Sequence, residues 1–580
     1  MTKHNLLLTS IFFLLIINHN SFSQKTNQKQ NSFKEPVNFP IYLSGTFGEL
    51  RSNHFHSGID IKTDGVNGKK ITAIADGYVS RIKVTPSGYG RALYINHPEI
   101  GYTSVYAHLD RFSNKLEKYV INEQYKNKTF PIQLYPEAEQ FKVKKGQLIG
   151  YSGNTGSSQG PHLHFEIRKI DNQHPVNPMK FDFQIEDQIA PKVFLAAVYP
   201  INKSSRIKGK NEKYIFSVKQ KNRINYYRPE KNEIIKVRGK IGFGIKTFDF
   251  LNGSHNWCGV NSIKLYIDDK LWYHHKLDEF SFSESRYINS LIDYEEKILR
   301  NSSVQKLFLE PNNQLSIYNF IRNNGVVEFN DTLEHNVKYI IQDTYKNESV
   351  LEFSIKNVNN VKEIPAYSES STTVFPYNEE NEFKKEGIKL TFPSYSFYDT
   401  VHFEYKREEP IKENIYSGIH YVHKKTTPVH KYFNLSIKTN DLPSSLSEKA
   451  FIAYKNGEDS EYEYTGGEKV NGYITTKARK LGKYCIMTDT VAPVVKAKRP
   501  EEIVRNGVIK IQVEDDLSGI KTYNGYIDNE WALFEYDPKN NIILYKIDSK
   551  RLKKSEEHEL ELYVGDNMNN ITTFYTKFKL

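Results

Sequence analysis

Four short stretches between residues 56 and 168 constrain what this chain can fold into more than any other feature of its sequence. Written out, they are His56-Ser-Gly-Ile-Asp60, Tyr106-Ala-His108-Leu, Gly150-Tyr-Ser-Gly-Asn-Thr-Gly156 and Gly160-Pro-His162-Leu-His164-Phe-Glu. Together they supply four histidines and one aspartate, the ligand and base types that a hydrolytic zinc site needs. We interpret the chain after residue 190 as scaffold for such a site.

Each stretch alone is a weak signal. With 18 histidines in 580 residues, a His-x-His pair is expected by chance about half a time. The prediction rests on the combination, in which the five residues lie at the ends of β-type segments separated by glycine-rich turns. Side chains alternate along a strand, so His162 and His164 should lie on one face and could share one metal ion.

The surrounding sequence is typical of an all-β fold. Its aromatic content is 13%, with 40 Tyr and 34 Phe, and such residues favour strands over helices. Between residues 71 and 107, segments rich in β-branched and aromatic residues alternate with glycine turns and predict an antiparallel meander. After residue 109 the strand pattern stops. A possible N-cap at Ser113 predicts a short helix there, followed by a loop to Gln140.

A chain of 580 residues is long enough for several domains, each with its own core. A weak internal repeat marks their limits, because Asp187-Gln-Ile-Ala-Pro191 is echoed by Asp489-Thr-Val-Ala-Pro493, and a closing pattern around Asp343 is echoed around Asp566. The predicted order is a signal peptide at 1–23, a flexible leader at 24–38, the domain of the candidate site at 39–186, a β-sandwich-like domain at 187–358, a β-domain of uncertain topology at 365–488 and an immunoglobulin-like β-sandwich at 489–580.

The first 23 residues predict export. They combine a basic start, an apolar run from Leu6 to Ile17 and small residues at Ser21 and Ser23, the pattern of a cleaved secretory signal. An uncleaved anchor is the alternative interpretation. No later stretch approaches the length of a transmembrane helix, and no cysteine lies near the cleavage site to accept lipid. We therefore expect a periplasmic, extracellular or cell-envelope protein.

The formal net charge is +11. Such a charge could hold an exported protein against an anionic polymer such as cell wall, although a lysine- and asparagine-rich composition without a partner explains it equally well. No basic block interleaved with aromatic residues indicates nucleic-acid binding. The two cysteines, Cys258 and Cys485, fall in different predicted domains, so we expect no disulfide between them.

The four stretches resemble the lysostaphin and LytM type of zinc metallopeptidases, enzymes that cut peptide bonds in bacterial peptidoglycan. The resemblance covers about residues 40 to 180 and includes Ala75-Asp-Gly-Tyr-Val79 beside the stretches already given. It implies an antiparallel β-sheet zinc peptidase domain, here followed by about three immunoglobulin-like β-sandwich domains. The segment from about 112 to 140 is longer than the family pattern needs, which leaves the shape of one groove wall open.

The resemblance implies a role for each of the five residues. His56, Asp60 and His164 correspond to the family's metal ligands, and His108 and His162 to its catalytic histidines. The residue types suit this chemistry, because two imidazoles and one carboxylate leave zinc an open fourth position. Unligated histidines can then deprotonate water or stabilise an oxyanion near neutral pH. The His-Glu-x-x-His pattern of another zinc peptidase class is not found in the sequence.

These observations predict an exported zinc endopeptidase that hydrolyses the stem or cross-bridge peptides of peptidoglycan. One alternative is a catalytically silent protein that binds wall or activates another hydrolase. Another is a peptidase that acts on exported proteins.

Two further groups of residues are weaker candidates. His420, His423 and His430 could form a metal cluster, but a surface strand is the favoured interpretation. Glu514-Asp-Asp-Leu-Ser-Gly519 could bind calcium through its oxygens. It lacks the spacing of an EF-hand, so an acidic turn of a sandwich is favoured.

Overall fold

The computed structural model describes residues 33–221, 223–358, 373–410, 414–457, 460–497, 503–553 and 556–580. The predicted signal peptide at 1–23 and residues 24–32 of the predicted leader lie outside the described residues. From Phe33 onward the leader is packed rather than flexible, because Phe33 and Val37 are buried in the core of the first domain. Thr72 also donates its backbone N–H to the carbonyl oxygen of Pro36.

The all-β prediction is confirmed, since strands make up most of the regular structure of the described residues. The first part of the chain contains β1 (Leu43–Gly45), β2 (Leu50–Arg51), β3 (His54–Phe55), β4 (Ile59–Lys62), β5 (Lys70–Thr72), β6 (Gly77–Val84), β7 (Arg91–His97), β8 (Tyr102–Ala107), β9 (Arg111–Phe112), helix α1 (Asn114–Asn127), β10 (Ile132–Leu134), β11 (Lys142–Val143), β12 (Leu148–Tyr151), β13 (His162–Lys169), β14 (Pro175–Val176) and a 3-10 helix (Pro178–Lys180).

The main sheet of this part runs in the order β1-β4-β13-β8-β7-β6-β10, with neighbours antiparallel. The predicted meander is its β6-β7-β8 portion. Along β13, Leu163, Phe165 and Ile167 point into the core. Because side chains alternate, the intervening residues His162 and His164 lie together on the opposite face, at the centre of the sheet.

Helix α1 begins after Ser113, as the sequence predicted, and is 14 residues long. It buries Leu116, Val120 and Gln124, which share one face through their four-residue spacing. The Ser113 side chain makes no capping hydrogen bond, and the helix ends at Lys128 in the left-handed conformation. The predicted loop to Gln140 is wrong in part, because strand β10 pairs with β6 within it.

The next part of the chain is larger. It contains β15 (Lys192–Pro200), β16 (Arg206–Ile207), β17 (Tyr214–Gln220), β18 (Tyr226–Pro229), β19 (Ile235–Arg238), β20 (Lys240–Phe248), β21 (Ser262–Ile267), β22 (Lys270–Lys276), a 3-10 helix (Ser285–Tyr287), α2 (Ile288–Leu291), α3 (Tyr294–Arg300), β23 (Gln305–Lys306), β24 (Tyr318–Ile321), a 3-10 helix (Asn323–Gly325), β25 (Val327–Glu328), β26 (Glu334–Gln342) and β27 (Glu348–Asn357). Strand β15 pairs with β20, and β26 pairs with β27.

The third part contains two five-stranded antiparallel sheets, ordered β29-β30-β34-β38-β37 and β32-β33-β39-β35-β36, and a two-stranded sheet of β28 and β31, around a shared apolar core. Its elements are β28 (Thr373–Phe375), β29 (Asn381–Lys385), β30 (Ile388–Phe392), β31 (Val401–Phe403), β32 (Tyr405–Glu408), β33 (Ile419–Val422), β34 (Phe433–Lys438), a 3-10 helix (Ser444–Lys449), β35 (Ala450–Lys455), β36 (Tyr462–Tyr464), β37 (Glu468–Val470), β38 (Tyr473–Ala478) and β39 (Gly482–Thr488).

The last part has sheets ordered β40-β42-β46-β45 and β44-β43-β47-β48. Its strands are β40 (Val494–Lys496), β41 (Val504–Arg505), β42 (Val508–Glu514), β43 (Ile520–Ile527), β44 (Glu530–Ala532), β45 (Glu535–Asp537), β46 (Ile542–Lys546), β47 (Glu557–Asp566) and β48 (Ile571–Lys579). The sequence-derived limits of all these domains stay predictions.

The internal repeat has the same hydrogen bonds in both copies. Asn347 donates its side-chain amide to the carbonyl oxygen of Asp187 (3.1 Å) and to the Asp343 carboxylate (2.7 Å). Asn570 does the same to the carbonyl oxygen of Asp489 (3.0 Å) and to the carboxylate of Asp566 (2.7 Å). In each copy the asparagine therefore connects the first aspartate of the sandwich with the turn before its last strand.

Candidate metal centre and active site

Three of the predicted site residues come together as a possible metal centre. His56 Nε2 lies 3.0 Å from Asp60 Oδ1 and 3.1 Å from His164 Nδ1, and His164 Nδ1 lies 3.0 Å from Asp60 Oδ1. All three side chains are buried. A tetrahedral metal with bonds of about 2.0–2.1 Å holds its ligand atoms about 3.3 Å apart. The three atoms therefore fit one face of a zinc coordination tetrahedron.

Strand pairing positions these ligands. In the register of β4 and β13, Asp60 lies directly opposite His164, and His56 is on the segment that leads into β4. Gly58 allows that segment to pass close to β13, because a Cβ at this position would lie 2.2 Å from the carbonyl oxygen of Phe165. The ligand set thus depends on two adjacent strands and one close backbone contact.

Each ligand histidine is oriented by a hydrogen bond from its other ring nitrogen. His56 Nδ1 donates to the carbonyl oxygen of Thr46 (2.7 Å), and His164 Nε2 donates to Glu166 Oε1 (2.8 Å). These bonds leave His56 Nε2 and His164 Nδ1 with their lone pairs toward the centre, the arrangement that metal-binding histidines commonly show. Burial opposes a charge on His164, but its hydrogen bonds to Asp60 and Glu166 raise its pKa to about 9.

The sequence analysis missed Glu166, which is fully buried and accepts several hydrogen bonds. Ser57 Oγ donates to Oε1 (2.7 Å), the Tyr89 hydroxyl donates to the same oxygen, and Arg168 Nε donates to Oε2 (2.5 Å). Burial works against ionisation, but the charge of Arg168 and the bond from His164 hold the pKa of Glu166 well below its usual range. The signal was in the sequence, because His162, His164, Glu166 and Arg168 form a period-two polar stripe on a buried strand.

Asp60 uses its second carboxylate oxygen for a bond to an arginine, which the sequence analysis also missed. Arg51 Nη2 lies 3.1 Å from Asp60 Oδ2 and 2.7 Å from Glu49 Oε2. Burial opposes the charge of Asp60, but His56 and hydrogen bonds with His162 and His164 hold its pKa well below the usual range. Asp60 is therefore charged, and its Oδ1 faces the two histidines of the possible metal centre.

The other two predicted histidines lie beside this centre. The rings of His108 and His162 are 4.9 Å apart, and the His108 ring is 5.8 Å from that of His164. His108 Nδ1 donates to the carbonyl oxygen of Thr155 (2.9 Å), and His162 Nδ1 to that of Gly160 (2.8 Å). His162 Nε2 is 3.4 Å from Asp60 Oδ1. In His108, Nε2 is the ring nitrogen that no carbonyl oxygen holds, and in His162 Nε2 is within hydrogen-bond distance of Asp60.

Burial, with the neighbouring His164 and His162, lowers the pKa of His108 to about 3. The residue sits at the end of β8 with a positive φ of 60°. Its support comes from the loop at 154–156, which packs against Gly90. A Cβ on Gly156 would lie 2.4 Å from the Gly90 backbone nitrogen, so glycine is required at this contact.

The weaker candidate clusters are structural. His420 is 1% exposed and bonds to the Tyr405 hydroxyl (2.9 Å), so the expected surface position is wrong. His430 stacks on Tyr287 with ring centroids 4.1 Å apart. Asp515 accepts hydrogen bonds from the backbone of the turn that follows it, as expected for an acidic turn. Burial explains the positions of the two histidines, because aromatic partners accommodate neutral histidines in a core.

Both cysteines are buried and free. Among the described residues, no helix combines the length and apolar character needed to cross a membrane.

Comparison with known proteins gives the first domain a family. Residues 54–125 and 134–178 match peptidase family M23, and residues 372–489 match the Zu5-like domain. The interruption at 126–133 falls within the segment that is longer than the family pattern. The match therefore covers the whole of the predicted site.

Individual relatives share this part of the chain. The DD-carboxypeptidase/endopeptidase Mpg of Neisseria meningitidis serogroup B is 35% identical over 130 residues, 22% of this chain and 23% of that protein. The peptidoglycan DD-endopeptidase ShyA of Vibrio cholerae is 47% identical over 51 residues, 9% of this chain and 11% of that protein. A solved catalytic-domain variant of the prophage-encoded M23 protein EnpA from Enterococcus faecalis is 25% identical, with 25% of this chain and 97% of that chain covered and a TM-score of 0.19.

The chain thus spans less than a quarter of the length of these two curated relatives. The resemblance to lysostaphin and LytM type enzymes is confirmed by the match over residues 54–125 and 134–178, and the chain contains a domain of peptidase family M23.

Proposed function

We propose that this chain is an exported zinc endopeptidase that hydrolyses peptide bonds in the stem or cross-bridge of peptidoglycan. The observation that carries the proposal is the convergence of His56 Nε2, Asp60 Oδ1 and His164 Nδ1 within 3.1 Å of one another, with two further histidines beside them. The relatives named as peptidoglycan or DD-endopeptidases support the substrate class. Export is supported by the signal-like sequence of residues 1–23.

His56, Asp60 and His164 would hold the zinc ion. When bound, zinc would polarise the scissile carbonyl and bring the pKa of water toward about 7. The donor set suits a catalytic site, because three protein ligands leave a fourth position open. Glu166 and Thr46 keep the two imidazoles in the tautomers that such binding needs.

His108 and His162 would act on water and on the substrate. Their Nδ1 atoms are held by the carbonyl oxygens of Thr155 and Gly160, so Nε2 of each can accept a proton or donate a hydrogen bond. Burial lowers the pKa of His108 and keeps its ring neutral, so Nε2 can accept a hydrogen bond from water and orient it for attack. The partner histidine can stabilise negative charge on the carbonyl oxygen. Because no nucleophilic side chain is part of this set, hydrolysis proceeds without a covalent intermediate.

The test is mass spectrometry of purified peptidoglycan after digestion by the zinc-loaded full chain and by three variants. His164→Ala should lose zinc and activity together. His108→Ala should keep zinc and lose about 10²–10⁴-fold in turnover, the usual contribution of a general base or acid. His255→Ala, at an exposed histidine, should match the parent.

The results separate the proposal from its alternatives. Release of uncrosslinked fragments by the parent, and not by His108→Ala, supports the endopeptidase and identifies the bond. Full activity of His108→Ala would contradict the role assigned to His108. A zinc-loaded parent that binds peptidoglycan but releases nothing would instead indicate a wall-binding protein.

A further inference from the structure

Three aspartates converge at a second place, where the chain leaves the peptidase domain for the first sandwich. Asp187 opens the sandwich, Asp249 follows β20 and Asp343 follows β26. One carboxylate oxygen of each lies within 4.8 Å of the others. The sequence repeat marked Asp187 and Asp343, but the tertiary structure adds Asp249. We propose that these three residues bind a calcium-sized divalent cation, a site independent of the proposed peptidase function.

The spacing fits such an ion. Calcium takes oxygen ligands at about 2.3–2.6 Å, so two oxygens on one ion are at most about 5 Å apart. Three carboxylates can supply three to six of the six to eight oxygens that calcium takes, and water and backbone carbonyls supply the others. The ligand set contains no nitrogen or sulfur, which favours calcium over zinc.

Two carboxylate oxygens of this cluster are buried without a hydrogen-bond donor from the described part of the chain, which indicates that a positive charge is missing. Asp249 is 1% exposed, and its Oδ1 has no hydrogen-bond partner among the described residues. Asp187 Oδ2 is also buried without a donor from these residues, and the Asp187 side chain is in direct contact with the Asp343 carboxyl group. Buried carboxylates that face one another are costly unless a cation or hydrogen-bond donors compensate them. Consistent with this, burial and the charges of Asp187 and Asp343 raise the pKa of Asp249 to about 9.

The second copy of the repeat provides an internal comparison. Asp489, Asp515 and Asp566 occupy the corresponding places. There the Ser518 N–H donates to Asp489 Oδ2 (3.1 Å) and the Gly519 N–H to Asp515 Oδ1 (2.6 Å). The turn after β42 therefore supplies donors to oxygens whose counterparts in the first copy have none. In the second copy, backbone N–H groups of the protein bind these carboxylate oxygens. In the first copy the corresponding oxygens have no donor among the residues that the structure describes and are left for a cation.

The cation site is linked to the peptidase centre through backbone. Asp249 and Cys258 exchange two backbone hydrogen bonds of 2.9 Å each. The Gly259 N–H donates to Thr46 Oγ1 (3.0 Å), and the Thr46 carbonyl oxygen holds His56. Cys258 and the nearby Leu251 also belong to the core of the peptidase domain. A bound cation would therefore stabilise the junction that supports a metal ligand.

Terbium luminescence and thermal unfolding test the proposal. The full chain is freed of cations on a chelating resin, reloaded with equimolar zinc and titrated with Tb³⁺, a calcium analogue. Tyr345, two residues from Asp343 in the turn between β26 and β27, should sensitise terbium emission. Ca²⁺ should displace the terbium, and Ca²⁺ alone should raise the Tm. Neither readout depends on peptidase activity, so failure here differs from failure of the proposed function.

Two matched variants complete the design. Asp249→Asn should weaken Ca²⁺ binding at least about tenfold and abolish the Ca²⁺-dependent rise in Tm. Its Tm without Ca²⁺ should equal or exceed that of the parent, because an uncompensated buried carboxylate is removed. Asp515→Asn should leave terbium binding unchanged. The proposal is overturned if the parent shows no Ca²⁺-dependent change, if Asp249→Asn binds like the parent, or if only Asp515→Asn loses binding.

Discussion

Glu166 orders one side of the candidate zinc site. It is fully buried, orients His164 and is itself held by Arg168, Ser57 and Tyr89. A carboxylate in this position makes the histidine a better ligand and fixes its ring. Glu166 contacts His164 at Nε2, the ring nitrogen that faces away from Asp60, so it is a positioning residue.

Replacing Glu166 by Gln should weaken zinc affinity about 10–100-fold, the usual effect of losing such a partner. The reason is that the amide cannot provide the negative charge that faces His164 Nε2. Competition with a chromophoric chelator measures the affinity. Glu139→Gln, at an exposed glutamate that pairs with Lys142, is the matched control and should bind zinc as the parent does. Equal zinc affinities of the two variants would contradict this role and would show that the charge of Glu166 does not contribute to zinc binding.

The two sandwiches that share the repeat also share a histidine-aspartate contact at a strand turn. His335 Nδ1 lies 2.7 Å from Asp268 Oδ2, and His558 Nδ1 lies 2.7 Å from Asp528 Oδ2. In each copy the other carboxylate oxygen of the aspartate accepts a hydrogen bond of 2.9 Å from the backbone N–H of the residue after the histidine, Asn336 or Glu559. Partial burial opposes the charge of each histidine, but these carboxylates raise the pKa of both.

This contact should make the sandwiches less stable as pH rises. A histidine whose pKa is raised on folding contributes fully below its unfolded value of about 6.5, and that contribution is lost as pH rises through the folded pKa. The double variant His335→Gln, His558→Gln lacks the contribution. The difference in Tm between parent and variant should therefore be larger at about pH 5.5 than at about pH 8.5. A difference that does not change with pH would mean that neutral hydrogen bonds alone hold these turns.

The last sandwich is attached to the peptidase domain by buried charge as well as by packing. Arg91 is 3% exposed and pairs with Glu117 of α1 and with Glu535 of β45, at 2.9 and 3.1 Å. Nearby, Lys539 donates to the carbonyl oxygens of Asn154 and Ser158, in the loop beside His162. The far end of the chain therefore contacts the wall of the candidate active site.

Removing one partner of this buried pair should destabilise the whole molecule. Glu535→Ala leaves Arg91 buried with one carboxylate and should lower the free energy of unfolding by about 1–3 kcal/mol. Glu557→Ala removes an exposed pair with Lys577 and should cost less than about 1 kcal/mol. Urea unfolding of both variants measures the difference. Similar losses in the two would indicate that the Arg91 pair adds nothing to the attachment.

Much of this architecture was readable from short-range sequence patterns. Alternation along β13 placed His162 and His164 on one face, glycine turns separated the strands of the meander, and the Asp187 and Asp489 motifs marked the repeat. The five candidate residues were selected from such patterns, and their assignment as a site stays a prediction. Such features depend on neighbours in sequence, which strand geometry and turn chemistry relate directly to side-chain direction.

Other features depended on which distant surfaces pack together. Nothing near Asp249 in the sequence indicates that it joins Asp187 and Asp343, and no local pattern pairs Arg91 with Glu535, 444 residues away. Arg51 could not be assigned to Asp60, because Arg51 is in β2 and Asp60 is in β4, and alternation within one strand does not relate two separate strands. The free energy of a buried charge depends on which groups replace water around it. Those groups come from distant parts of the chain, so only the tertiary structure identifies them.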